Sequence, residues 1–244
     1  MKAKTFLVVA GSGYIGQAVV SSLIDEGHNV IATFHTKKPK DSPNVQWLNC
    51  DLTSDSGLDN LSQALKGLKV PLDGLALAVG GKIAGVLLPN NERLNFFRSF
   101  EHDPEWLAQL FQIYGVGTYG AIKLALPYLQ KSPNPNIVIV GSLIGIKAVN
   151  SPLCFAAAKG STRGLVESLS KDLGQINIKV NSVDPGMLEA GASTDISNQL
   201  KQEYLKHCAL RRFGTAQEVA NAIHWFLDEN TYITGQAIVL DGAL

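Results

Sequence analysis

Seven short runs of apolar and β-branched residues punctuate the chain: Phe6 to Ala10, Val30 to Phe34, Val45 to Leu48, Leu75 to Val79, Ile137 to Val140, Lys179 to Val183 and Ala237 to Leu240. Each is bounded by turn-forming residues, so each predicts a β-strand. Between them lie stretches of helical length and period at Ile15 to Glu26, Leu58 to Leu65, Glu105 to Leu129, Ala156 to Leu173 and Ala216 to Leu227. Strand alternating with helix implies an α/β protein, a doubly wound parallel sheet of about seven strands with helices on both faces. Lys37 to Asn44 reads as a polar connection. Lys82 to Asp103 is the least regular stretch and reads as a surface insertion or a loop near a substrate entrance. Neither a repeat nor a linker interrupts residues 1–244, which are expected to form one domain.

Composition narrows the picture. Hydrophobic residues at 45% and charged residues at 17% suit a well-packed interior and argue against extensive disorder. With a net charge of zero the chain has no overall field for nucleic acid or an anionic membrane, so binding must come from a local site. No run is long and apolar enough to span a bilayer. Cys50, Cys154 and Cys208 lack metal or redox spacing and read as reduced thiols, which points to the cytoplasm. The five histidines show no ligand spacing, and no metal is expected.

The first strand runs directly into Gly11-Ser12-Gly13-Tyr14-Ile15-Gly16 as a helix opens, the context that gives a G-x-G-x-x-G pattern its meaning. Glycines permit the tight turn and close approach of a pyrophosphate, and N–H groups at the helix N-terminus face its oxygens. The alternative is a plain glycine-rich turn. At the end of the second strand, Phe34-His35-Thr36-Lys37-Lys38 offers no carboxylate for a ribose 2′-hydroxyl. Its cations favour a 2′-phosphate instead, so NADP(H) is expected, with NAD(H) possible, and His35, Thr36 and Lys37 are assigned to that end. A solvated basic loop is the other reading.

Further motifs, in order, resemble the short-chain dehydrogenase/reductase (SDR) family, a Rossmann-like fold. Asp51, with Leu52, stands where that family meets the adenine, although Asp51 also suits a turn before Thr53 and Ser54. Ser142 matches the family's catalytic serine and Lys159 the lysine of its Y-x-x-x-K motif. Asn181-Ser182-Val183-Asp184-Pro185-Gly186 resembles the segment packed beside the nicotinamide, and Arg212-Phe213-Gly214, Glu218-Val219-Ala220, Thr234-Gly235-Gln236 and Asp241-Gly242 resemble its C-terminal signatures. The resemblance implies that Val79, Gly80, Lys159, Pro185 and Gly186 also line the cofactor site. It implies hydride exchange with a small-molecule substrate, proton transfer by a tyrosine that the lysine and serine support, and a homodimer or homotetramer paired through the two long helices. Met187 to Lys206 carries glycine, serine and alanine before an expected amphipathic helix and resembles the family's mobile substrate loop.

The pattern breaks where the proton is handled. Phe155 replaces the tyrosine, Tyr114 replaces the asparagine of the long helix, the fourth strand ends in Leu77-Ala78-Val79-Gly80, and Ala190 replaces a threonine. A positioned general acid is worth about a hundred- to ten-thousandfold. Three expectations follow. The chain is an oxidoreductase with a substitute donor, Tyr114, or it performs a reaction that needs no acid at that point, or it is a catalytically inactive nucleotide-binding protein that acts as a sensor or scaffold. Cys154 reads as a small apolar packer.

Overall fold

The computed structural model describes residues 3–80, 104–149 and 151–244. Its strands are β1 (Thr5–Val9), β2 (Asn29–Phe34), β3 (Val45–Asn49), β4 (Gly74–Leu77), β5 (Asn136–Val140), β6 (Lys179–Pro185) and β7 (Ala237–Leu240). Its α-helices are α1 (Tyr14–Asp25), α2 (Asp55–Lys66), α3 (Pro104–Phe111), α4 (Thr118–Leu129), α5 (Leu153–Gly174), α6 (Asn198–His207) and α7 (Ala216–Asp228). The strands form one sheet in the order β3-β2-β1-β4-β5-β6-β7. Every neighbouring pair is parallel. The stretch from Lys82 to Asp103 lies outside the described residues. No helix among those described is long and apolar enough to cross a membrane.

Side chains alternate across a strand, and each face of the sheet carries its own core. Leu7 and Val9 of β1 join Leu75, Leu77, Ile137 and Ile139 beneath α2, α4 and α5. Phe6 and Val8 join Ala76, Val138 and Val140 beneath α1 and α7, where Val19, Leu23, Ile223 and Phe226 are buried. This two-sided burial is why the strands read as continuous apolar runs rather than alternating ones.

One expectation is corrected. The stretch from Glu105 to Leu129 is not an uninterrupted α-helix, because a π-helical segment, Gln112–Gly117, separates α3 from α4. Two glycines weaken the α-helix there, and a Cβ on Gly117 would stand 2.6 Å from the Leu52 carbonyl oxygen. The helix therefore presses against the turn after β3, and Thr118 Oγ1 donates to the Ile113 carbonyl at 3.3 Å. Single π turns within helices are frequent at functional sites, and this one carries Tyr114.

At the N-terminal edge of the sheet, His28, His224 and Asp228 converge, their ligand-type atoms within 4.8 Å of one another. Sequence spacing concealed this group. It is occupied by the chain's own contacts: His28 Nδ1 accepts from the Lys4 N–H at 3.3 Å, Lys4 Nζ stands 2.7 Å from Asp228 Oδ1, and Ser22 Oγ bonds His224 Nδ1 at 2.6 Å. Burial holds the His28 imidazole below its ordinary pKa of 6.5, against the attraction of Asp228. The folded protein thus binds fewer protons than the unfolded chain just below that value, and stability should fall as pH drops from about 6.5 toward the depressed value. Thermal unfolding between pH 7.5 and 5.5 should show this loss, and His28→Gln should flatten it; an equal slope in the variant would assign the loss to other groups.

Candidate active site

The turn after β1, the ends of β4 and β5, and the end of β6 meet along the C-terminal edge of the sheet. The order reverses between β1 and β4, which is where open parallel sheets form ligand crevices. Each glycine of the turn has a distinct reason to be there. A Cβ on Gly11 would stand 2.9 Å from Ala32 Cβ, whereas one on Gly16 would stand 2.2 Å from the Ala10 carbonyl and 2.8 Å from Gly11 Cα. Gly13 is exposed, and its Cβ would meet only the Ala10 oxygen, at 3.3 Å. Gly11 and Gly16 thus serve the turn and its packing, while Gly13 leaves backbone open at the N-cap of α1. Ser12 N–H is spent on the Thr33 carbonyl. The first-turn N–H groups that follow have no partner within the helix, which fits a diphosphate.

Tyr14 extends elsewhere. Its hydroxyl donates to Glu189 Oε1 at 3.1 Å, and Gly191, at φ 75°, packs against its ring. It ties the glycine turn to the segment after β6. That segment, expected as a substrate loop leading into an amphipathic helix, carries a 3-10 turn and α6 and is held by Met187 N–H to Tyr204 Oη at 3.2 Å and by Tyr204 Oη to the Asp241 carbonyl at 3.1 Å.

At the end of β2, expected to meet the cofactor ribose, His35, Thr36 and Lys37 are exposed. Lys38 is paired with Asp41 at 2.7 Å. Asp51 forms the turn: its Oδ1 accepts from Thr53 N–H at 2.9 Å and from Thr53 Oγ1 at 2.7 Å, and these bonds hold its carboxyl below the usual range. Its Oδ2 lies 3.6 Å from His35 Nε2. Leu52 is buried beneath Gly117.

Ser142 ends β5 as the N-cap of a 3-10 turn, its Oγ accepting from Ile144 N–H at 3.3 Å. That leaves the hydroxyl proton for another oxygen. Lys159 is buried in α5 and donates to the Val79 carbonyl at 3.3 Å and the Val140 carbonyl at 3.2 Å. Its Nζ stands 4.0 Å above the centre of the Tyr114 ring, so the face of that ring, not its hydroxyl, receives the ammonium. Burial lowers the Lys159 pKa to about 7, and the charge of Asp184 acts in the opposite direction. Tyr114 is 3% exposed, and burial pushes its hydroxyl up to about 12. Phe155, half-buried in the first turn of α5, meets the Tyr114 ring edge-on with centroids 6.0 Å apart. Cys154 beside it is buried, which raises its thiol.

Asp184 belongs to the Asn181 to Gly186 motif, and sequence reasoning gave it no role of its own. It is 3% exposed and accepts from Ser142 N–H at 3.0 Å and from Ser182 Oγ at 2.5 Å. Its signal was a carboxylate inside a strand whose every position is buried. The remaining signature residues act as clamps. Asn181 donates to the Ile233 carbonyl at 2.8 Å and accepts from Gln236 N–H at 3.0 Å. Glu218 closes a capping box with Thr215 and is forked by Arg212 at 2.6 and 2.9 Å. Asp241 accepts from Lys147 Nζ at 2.6 Å.

The sequence profile of the family described as enoyl-(acyl carrier protein) reductase matches residues 9–244. The chain belongs to the short-chain dehydrogenase/reductase family. Carbonyl reductase family member 4 of Xenopus laevis is 29% identical over 247 residues, covering 99% of this chain and 98% of its own. The 3-oxoacyl-(acyl-carrier-protein) reductase MabA of Mycobacterium tuberculosis is 24% identical over 243 residues, 99% of this chain and 92% of its own. A crystal structure of a short-chain dehydrogenase family protein from Francisella tularensis superposes with a TM-score of 0.82 at 25% identity, covering 99% of this chain and 98% of that one. This SDR is an oxidoreductase of the nicotinamide-dependent type, and its glycine turn fits that role.

Proposed function

We propose that this SDR is an NADP(H)-dependent reductase of a carbonyl borne on an acyl-type small molecule, with Tyr114 as its proton donor. The observation that carries the reading is the meeting, at one crevice, of the glycine turn with the Ser142 hydroxyl and the enclosed Lys159 ammonium. The nicotinamide supplies hydride when bound. Ser142 donates a hydrogen bond to the reacting oxygen, and Lys159 contributes positive charge where charge develops. Exposed Lys37, with no carboxylate at the end of β2, supports a 2′-phosphate partner. MabA and the matched family profile, both named for acyl-carrier substrates, support an acyl chain.

A Tyr114 phenol at about 12 stays protonated at working pH. It is still a stronger acid than water at about 15.7, so it suits protonating an alkoxide better than deprotonating an alcohol. Reduction is the favoured direction. Exposed Val116, Tyr119 and Leu153 on the π turn, α4 and α5 support a homodimer or homotetramer, and the three free, buried cysteines support a cytoplasmic setting.

The test is loss of NADPH absorbance with 3-oxoacyl thioesters, run beside NADH. NADPH should be consumed and preferred, and Ser142→Ala should lower turnover at least tenfold. A folded sample that associates with neither reduced nor oxidised nucleotide would overturn the proposal.

A further inference from the structure

Lys159 is fully enclosed, yet the atoms against its ammonium are two carbonyl oxygens and an aromatic face. No carboxylate lies within ion-pair distance of it among the described residues. An enclosed ammonium with only neutral partners tends to give up its proton. Across the ends of the neighbouring strands stands Asp184, enclosed to the same degree. Its place is built: a Cβ on Gly141 would come within 1.9 Å of Asp184 Oδ1, so only glycine at 141 leaves room for the carboxylate. Oδ1 then takes the Ser142 N–H and Oδ2 the Ser182 hydroxyl.

We infer that Asp184 is the counterion of this site, a positioning residue that fixes Ser142 at the end of β5 and keeps Lys159 an ammonium. The register of β5 and β6, Val140 beside Val183, sets Gly141 and Ser142 against Asp184, and Lys159 reaches the same strand end through its bond to the Val140 carbonyl at 3.2 Å. The groups that face this pair come from three elements. Tyr114 of the π turn lies under Lys159, Arg163 of α5 acts on Asp184 along with Lys159, and Ser182 of β6 donates to the carboxylate. Burial raises the Asp184 carboxyl, and the two serine bonds and two cations oppose that rise.

The experiment is a pH titration by NMR of protein labelled with ¹³C at lysine Cε, the Lys159 signal assigned by its loss in Lys159→Met. The midpoint should lie near 7 in the native chain. Asp184→Asn keeps an oxygen for the Ser142 N–H, lets the Ser182 hydroxyl turn to accept, and removes only charge. The midpoint should fall by about one pH unit or more. Reductase turnover in Asp184→Asn should drop about fivefold at pH 7 and recover toward the native value at pH 5.5; a purely structural role would lower it equally at both. Ser182→Ala, which keeps the carboxylate but removes a bond that stabilises its charge, should move the midpoint the same way by less, and decides the matter if Asp184→Asn does not fold. An unmoved midpoint overturns the inference. The kinetic arm rests on the reductase reading and the titration does not, so a moved midpoint in an inactive protein would sink that reading and leave this one standing.

Discussion

Alanine at Gly16 should lower both stability and nucleotide affinity, whereas alanine at Gly13 should lower affinity alone. The added methyl at Gly16 would meet the Ala10 oxygen at 2.2 Å and Gly11 Cα at 2.8 Å, and both are backbone atoms that no rotamer change can move aside. Either α1 backs away from the sheet or the turn shifts. Overpacking of this kind costs about 1–3 kcal/mol. In a domain of this size that lowers the unfolding midpoint by roughly 2–12 °C. The displaced turn no longer presents its N–H groups to a diphosphate, so affinity for NADPH should fall more than a hundredfold. At Gly13 the same methyl finds space, with one oxygen at 3.3 Å. Its melting temperature should match the native chain, and on the proposed reading NADPH affinity should still drop tenfold or more, because the methyl would stand where backbone approaches the diphosphate. Fluorescence titration with NADPH beside thermal unfolding separates the two cases. Native affinity in Gly13→Ala would show that the turn is structural and nothing more.

The strands and the glycine turn were legible because their physics is local. Residues buried on both faces of a parallel sheet must be apolar almost without break, and a turn that packs Gly16 on Ala10 tolerates no side chain there. The C-terminal signatures were legible as a pattern, though their work is holding backbone in place: Asn181 clamps the turn before β7, and Glu218 caps α7. The π turn was not legible. Slipping a helical hydrogen bond by one residue leaves the apolar period almost unchanged, and the cause is the nearness of Leu52, which belongs to another part of the chain. For the same reason Tyr14 read as part of the phosphate turn alone, since its bond to Glu189 is set by how the loop after β6 folds back. Asp184 stood in the sequence only as one member of the Asn181 to Gly186 motif. Only the burial of all of β6 shows it to be a carboxylate held inside the protein, with the Ser142 N–H as its donor.

Phe155→Tyr should raise turnover about a hundredfold, within the hundred- to ten-thousandfold range of a positioned general acid. Phe155 and Lys159 stand four residues apart in α5 and share a face of that helix. A hydroxyl added to the 155 ring therefore enters a neighbourhood where Lys159 favours the phenolate, whereas enclosure pushes the Tyr114 hydroxyl up to about 12. The new phenol should be the stronger acid of the two. Tyr114→Phe should lower native turnover at least tenfold if Tyr114 carries the proton, and should change little in the Phe155→Tyr background, because one donor then substitutes for the other. Such strong non-additivity is expected of groups that perform one step in common. The four proteins of this cycle, assayed with NADPH at pH 7, decide between donors. Native turnover untouched by Tyr114→Phe would end the role of Tyr114 as donor and leave its ring as the seat of the Lys159 ammonium. A Phe155→Tyr variant that gains nothing would show that the first turn of α5 does not reach the reacting oxygen, which would make Phe155 a packing partner of Tyr114 rather than the vacated place of an acid.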